Sequence, residues 1–212
     1  MVRRSSLPSS RPGRAPATGV SRGAGLVRII GGSLKRTPLA VADRAGLRPT
    51  PDRVRETLFD WLTHLLGGSW DAVRVLDMFS GSGAMALESV SRGAARAVAV
   101  EKDRASARMI RLTAEKLLVA DRVSVLCADS LAWIGTCGEL FDLVFIDPPF
   151  ASRLQLRAAE AALARLAPGG FIYLESEEEI AEDALERLGL TSIRRGKAGA
   201  VRFLLARRLC EP

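Results

Sequence analysis

From Val73 onward, short apolar runs alternate with amphipathic stretches, and this alternation restricts the fold more than any other feature. VRVLD is followed by a Gly-rich turn and the helical pattern AMALESVSRG, and RAVAVE by the helical pattern DRASARMIRLTAEKLL. RVSVLCAD and a short helical stretch then lead to FDLVFID, and a helix predicted from about Leu154 to Leu166 leads past PGG to FIYLES. Strands and helices taken in turn argue an α/β chain built on a parallel sheet with helices on both faces. TSIRRGKAGAVRFLLARR reads as a glycine-turned hairpin that closes the sheet edge.

Upstream of this alternation, LVRIIGG and SLKRTPLAV read as two short strands around Gly31 and Gly32, a hairpin. RPTPDRVRETLFDWLTHLL predicts a helix with Thr50 as N-cap and Pro51 at its first position. Val54, Leu58, Trp61, Leu62, Leu65 and Leu66 form its apolar stripe, and Trp61 and His64 read as packing or surface residues. Residues 1–25 are rich in Ser, Pro, Gly and Arg, with too little apolar content to repay ordering, so a disordered basic extension able to touch RNA is expected there. The remaining residues, 26–212, are expected to form one domain, with a hairpin and helix over 26–70 and a core over 71–212.

The 212 residues suffice for one substantial core, and a hydrophobic share of 48% in short runs marks a globular chain. No apolar stretch approaches a membrane span, and a soluble protein of the cytoplasm is expected. Residues 1–28 carry six arginines and no acid, so most of the net charge of +7 lies at the start. A second basic cluster comprises Arg194, Arg195, Lys197, Arg202, Arg207 and Arg208, and a third runs from Lys35 to Arg55. Such clusters suit a polyanion, because each phosphate neutralised releases counterions. Cys127, Cys137 and Cys210 are odd in number and lack a CxxC pair, so neither a disulfide framework nor a metal site is expected. Cys127 reads as a small core residue of an apolar strand.

The turn DMFSGSGAMA, Asp77 to Ala86, leaves a strand and opens a helix. Gly81 and Gly83 allow close backbone approach to a ligand, and a helix N-terminus adds favourable amide dipoles. Residues 81–86 match G-x-G-x-x-A, and Glu101 ends the next strand, placed to accept hydrogen bonds from ribose hydroxyls. A dinucleotide site, and with it an oxidoreductase, is therefore one reading. Asp77, however, ends the first strand close to the glycines, where a pyrophosphate would prefer no carboxylate. A cofactor with a cationic centre fits better. S-adenosylmethionine brings a ribose for Glu101, an amino acid moiety for the Asp77 to Gly83 turn, and an adenine whose amine Asp129 could hold. These acids end successive parallel strands, the edge at which such sheets bind ligands.

Asp147 ends the fourth strand at that same edge, directly before Pro148, Pro149 and Phe150. The prolines stiffen the corner and bias Asp147 toward extended geometry. Its carboxylate and the Pro148 carbonyl then offer two acceptors in fixed relation, able to hold an NH2 group with its nitrogen toward a sulfonium methyl. Phe150 can stack on the base that carries the amine.

DPPF resembles the (Asn/Asp)-Pro-Pro-(Tyr/Phe/Trp) motif of amino-group methyltransferases, and DMFSGSGAMALES resembles their cofactor loop. RIIGG, GLRPTPDRVRETLFDWL, SRGA and FDLVFIDPPF, in this order over about residues 27 to 208, resemble RsmD, the bacterial 16S ribosomal RNA guanine-N2 methyltransferase family. The resemblance implies a Rossmann-like class I fold whose seven-stranded sheet has an antiparallel last strand, preceded by a hairpin and helix that cover the pocket. It implies that Asp77, Ser80, Gly81 and Gly83 line the methionine end of S-adenosylmethionine, Glu101 the ribose and Asp129 the adenine. Asp147, Pro148, Pro149 and Phe150 would seat the guanine, and Arg48, Thr50, Arg53 and Arg55 would complete the pocket or contact RNA. The implied partner is 16S rRNA within a small subunit or an assembly intermediate, met by a monomer. DNA adenine or cytosine and protein glutamine remain alternative acceptors.

Overall fold

The strands predicted from Val73 onward assemble, in a computed structural model that describes residues 27–39, 51–149 and 152–209, into one seven-stranded sheet. The expected extension over residues 1–25, and Arg48, Thr50, Phe150 and Cys210, lie outside the described residues. A small antiparallel pair precedes the sheet, β1 (Val27–Arg28) with β2 (Pro38–Leu39), followed by helix α1 (Asp52–Leu65). The core then runs β3 (Arg74–Asp77), α2 (Ala84–Ser91), β4 (Arg96–Glu101), α3 (Arg104–Lys116), β5 (Val123–Cys127), α4 (Ser130–Ile134) and β6 (Phe141–Ile146). It ends with α5 (Gln155–Leu163), β7 (Leu166–Ser176), α6 (Glu182–Glu186), β8 (Leu190–Ala198) and β9 (Val201–Arg208).

The strand order is β5-β4-β3-β6-β7-β9-β8. β3 through β7 pair in parallel, and β9 lies antiparallel between β7 and β8, as expected of the last strand. Alternate residues along each strand feed two cores. Val75, Ala97, Phe145, Tyr173 and Phe203 pack under α1, α2 and α3, whereas Leu76, Val98, Ile146, Leu174 and Leu204 pack under α4, α5 and α6. Burial on both faces is why the strands read as nearly unbroken apolar runs. Among the described residues, no helix is long and apolar enough to cross a membrane.

Three local expectations are corrected. Pro51, not Thr50, is the N-cap of α1, because its ψ of 144° is extended and the helix begins at Asp52. The carbonyl of Pro51 accepts the first helical hydrogen bonds, from Val54 and Arg55. Cys127 is exposed rather than a core residue, since β5 is the sheet edge and Cys127 is its last residue. The helix expected to reach Leu166 ends at Leu163, and Leu166 with PGG, read as a connection, belongs to β7, which joins β6 through an irregular register between Phe141 and Leu143.

The N-terminal hairpin is fastened to α2 by a buried carboxylate. Glu88, 0% exposed, accepts from the backbone N–H groups of Ile30 at 2.6 Å and Gly31 at 2.8 Å, and from Arg92 Nε at 2.8 Å. Ser91 adds its hydroxyl, which donates to the Gly31 carbonyl and accepts from the Leu34 N–H. Gly32, at a φ of +73°, lies so close that a Cβ there would sit 1.9 Å from the Ser91 carbonyl oxygen. The spacing of RIIGG and LESVSRG thus encodes one docking joint.

Removing one partner of a buried, hydrogen-bonded charge leaves the others stranded, so Glu88→Ala should cost about 3–5 kcal/mol in urea unfolding. Glu88→Gln should cost less, because its oxygen still accepts. Hydrogen exchange at the Ile30 and Gly31 amides should accelerate in both variants.

Candidate active site

The parallel strands β3, β4, β5 and β6 release their chains at one edge, and β3 is the switch point, with β4 on one side and β6 on the other. In open α/β sheets the crevice at that point receives ligands. Asp77 and Asp147 end or directly follow the two strands that flank it.

The loop after β3 crosses toward β4 and is held there. Ser80 N–H donates to the Val100 carbonyl at 3.0 Å, and the Ser80 hydroxyl donates to the Asp77 carbonyl at 3.0 Å. Gly81 N–H donates to Glu101 Oε2 at 2.8 Å, and Glu101 Oε1 accepts from Asp103 N–H at 2.7 Å. Glu101 therefore ties the glycine loop to the start of α3, and each oxygen keeps a further lone pair for a hydroxyl donor. Gly83 has a structural reason of its own. It is the left-handed N-cap of α2, at a φ of +77°, and a Cβ there would meet Ile110 Cγ2 of α3 at 2.8 Å. The positive φ and the packing of α2 on α3 both disfavour a side chain at this position.

Asp77 is 3% exposed, and among the described residues its Oδ2 has no hydrogen-bond partner. Burial pushes its carboxyl up to about 7, against the opposing hydrogen bonds from Ser80, Ala86 and Phe79, and the Glu101 charge adds to the rise. An orphaned buried acceptor of this kind suits a cationic ligand, and so meets the chemistry of an ammonium or sulfonium group.

Asp129 follows β5 at the same edge but is already engaged. Its Oδ1 caps α4, accepting from Leu131 N–H at 3.1 Å and Ala132 N–H at 3.3 Å, while Oδ2 pairs with Lys102 Nζ at 3.0 Å. The Lys102 hydrogen bond, with the helix N–H groups, holds its carboxyl below the ordinary range. The neighbouring Ser130 hydroxyl donates to the Met78 carbonyl and locks α4 to the glycine loop, a contact that sequence reasoning did not reach.

At the DPPF corner Asp147 is half-buried, Pro148 buried and Pro149 exposed. The Pro149 carbonyl accepts from Ser152 N–H at 2.8 Å and from its hydroxyl at 2.6 Å, which closes the turn. Beneath it the Tyr173 hydroxyl donates to Glu175 at 2.7 Å, and both side chains are buried. Burial, then the charges of Glu175 and Asp147, raise the Tyr173 phenol well above its usual range.

Arg55 is placed differently from the expected RNA contact. It is 1% exposed, and one nitrogen donates to the Arg28 carbonyl at 2.8 Å and to Asp52 Oδ1 at 2.6 Å. Asp52 Oδ2 in turn pairs with Arg28 Nε at 2.8 Å, so Arg55 pins the hairpin to the start of α1 from inside. Its Nε and Nη1 are buried and, among the described residues, have no hydrogen-bond partner. Arg53, one residue outside the apolar stripe, is exposed.

Since the Asp77 carboxyl holds its proton to about 7 when folded and to the ordinary 3.8 when unfolded, the folded state binds the extra proton between these values. Stability should therefore fall as pH rises from about 4 to about 7. Asp77→Asn should relieve that loss, raising stability at pH 8 by on the order of a few kcal/mol and leaving it unchanged at pH 4 in pH-resolved thermal unfolding.

The family model described as "Conserved hypothetical protein 95" matches residues 27–207. The chain is 41% identical over 160 residues to ribosomal RNA small subunit methyltransferase D of Escherichia coli strain K12, covering 74% of this chain and 78% of the relative. It is 35% identical to the enzyme of that name from Haemophilus influenzae, covering 73% of this chain and 81% of the relative. A solved Escherichia coli structure, described as a candidate methyltransferase, superposes with a TM-score of 0.74 at 32% identity over 88% of this chain and 100% of that one. The docking joint, the glycine loop and the DPPF corner thus lie within a chain that belongs to the ribosomal RNA small subunit methyltransferase D family.

Proposed function

We propose that the protein transfers a methyl group from S-adenosylmethionine to the exocyclic N2 of a guanine in 16S ribosomal RNA. The observation that carries this reading is the pairing, across the switch point, of a buried carboxylate with an unpartnered oxygen, Asp77, and a stiffened acceptor corner, Asp147–Pro148. S-adenosylmethionine supplies an electrophilic methyl on a cationic sulfur. Asp77, Ser80 and Gly81 would hold its amino acid end, Glu101 its ribose and Asp129 the neighbourhood of its adenine. Gly83 sets the course of the loop.

The Asp147 carboxylate and the Pro148 carbonyl accept the two N2 protons of guanine. Holding both draws the nitrogen lone pair out of conjugation with the ring and points it along the line of attack. N2 would take the methyl carbon as its bond to sulfur breaks, the thioether S-adenosylhomocysteine would leave, and the proton shed by the methylated nitrogen would pass to the adjoining Asp147 carboxylate or to water. Positioning of this kind can supply up to ~7–11 kcal/mol of the barrier. Phe150 would stack on the guanine, which must be unstacked or presented in a loop for its amine to be reached. Arg48 and Arg53 are assigned to the RNA side of the pocket. The acceptor is assigned to the small subunit or an assembly intermediate, and the protein to the cytoplasm as a monomer.

Undermethylated small subunits, naked 16S RNA and DNA, each incubated with labelled S-adenosylmethionine and followed by nucleoside mass spectrometry, should yield N2-methylguanine on ribosomal RNA alone. Asp147→Ala should lower kcat at least about a hundredfold while S-adenosylhomocysteine still protects the variant from thermal unfolding. Label on adenine, on DNA or on protein would overturn the substrate.

Cofactor binding should also release a proton below pH 7, because a cation beside Asp77 favours its ionised form. Calorimetric titration in buffers of different ionisation heat should detect this release at pH 6, and Asp77→Asn should abolish it.

A further inference from the structure

The sheet divides the C-terminal basic cluster between two opposite edges. Arg207 and Arg208 end β9 at the edge away from the site and serve the fold there. Arg207 donates to the Gly169 carbonyl and lies over the Phe171 ring at 5.5 Å, and Arg208 donates to the carbonyls of Leu163 and Leu166. At the active edge, Ser176, Arg202 and Lys197 form one lateral row across β7, β9 and β8, and Arg195 lies two residues behind Lys197. With Glu179 and Ile180 they line a groove of about 320 Å3.

We infer that this groove binds the phosphate backbone of the RNA next to the target guanine, with Lys197 as its principal contact. The inference rests on the RNA reading above. Three strand spacings separate β6, which carries the DPPF corner, from β8, about 14 Å in all, within reach of nucleotides flanking an extruded base. The cations of the groove differ in how far they are already committed. Arg195 pairs with Glu182 at 2.7 Å and donates to the Ile180 carbonyl, and Arg202 donates to the Glu177 carbonyl at 2.6 Å. Lys197 is exposed and, among the described residues, makes no hydrogen bond or ion pair, so its charge is open to a phosphate. The acids nearby lie in the loop after β7 and at the start of α6, where Glu182 is already paired with Arg195. Glu178 pairs with Arg153 of the loop after β6 at 3.7 Å, and Glu179 stands in the groove wall. With Arg195 neutralised by Glu182, Lys197 and Arg202 make the strand side of the groove basic, and the loop side is acidic, which keeps a polyanion against β8 and β9.

The test is direct binding of a 16S RNA fragment, followed by fluorescence anisotropy across a salt series, for the full chain and for Lys197→Ala, Lys197→Glu and Arg207→Ala. S-adenosylhomocysteine affinity serves as the check on folding. Lys197→Ala should reduce the slope of log K against log salt by about 0.7–1, and affinity at 0.1 M salt by about fivefold, the share of one phosphate contact. Lys197→Glu should reduce affinity further, and Arg207→Ala should change neither slope nor cofactor affinity. In methyl transfer, Lys197→Ala should raise KM for the RNA with kcat preserved. RNA binding unaltered in both Lys197 variants, or altered equally by Arg207→Ala, overturns the groove and leaves the proposed reaction standing. Lys197-dependent binding by a chain that places no label on RNA would sink the reaction and keep the groove. Absence of RNA binding by the wild-type chain overturns both.

Discussion

A fully buried carboxylate costs several kcal/mol of desolvation unless its lone pairs are satisfied, and Glu88 meets that condition by gathering the start of the chain around itself. Two backbone N–H groups of the RIIGG turn and the Arg92 guanidinium share its oxygens. Arg92 then lies over Phe59 of α1 at 5.0 Å, so the charge that balances Glu88 also touches that helix. Phe59 reaches Phe145 of β6, whose strand leads into the DPPF corner. One carboxylate therefore couples the hairpin, α1 and the central sheet. The helix that carries it opens, at its other end, from the glycine loop.

The active edge collects like charge. Asp77, Glu101, Asp129 and Asp147 all leave parallel strands there, and the first three are accommodated differently. Asp129 uses Lys102 and a helix N-terminus, and Glu101 uses two backbone N–H groups. Asp77 lacks a cation among the described residues and holds its proton instead. A site assembled from carboxylates with one left uncompensated is prepared for a positive ligand, and a pyrophosphate would add charge of the wrong sign. This electrostatic argument separates the proposed cofactor from a dinucleotide more firmly than the glycine spacing does.

Much of this was legible in the chain itself. The alternation of apolar runs and amphipathic stretches determined a parallel sheet with two covered faces, because a strand buried on both sides has no polar positions to show. The strand-ending acids and the DPPF corner were legible for the same reason: in a parallel sheet, the carboxyl ends of successive strands necessarily share an edge. What the sequence could not convey were facts that depend on which segment lies against which. Cys127 resembled core until β5 proved to be the edge strand, and the close packing of Gly83 on Ile110 of α3 joins segments that the string of letters does not bring together. Arg55 carries the same charge as Arg53, yet tertiary packing encloses one and exposes the other, and the six-residue basic cluster of the last hairpin is divided between opposite edges. The period of hydrophobicity is local and survives in a string of letters; burial of a charge is set by contacts between residues far apart in the chain, and only the folded sheet decides it.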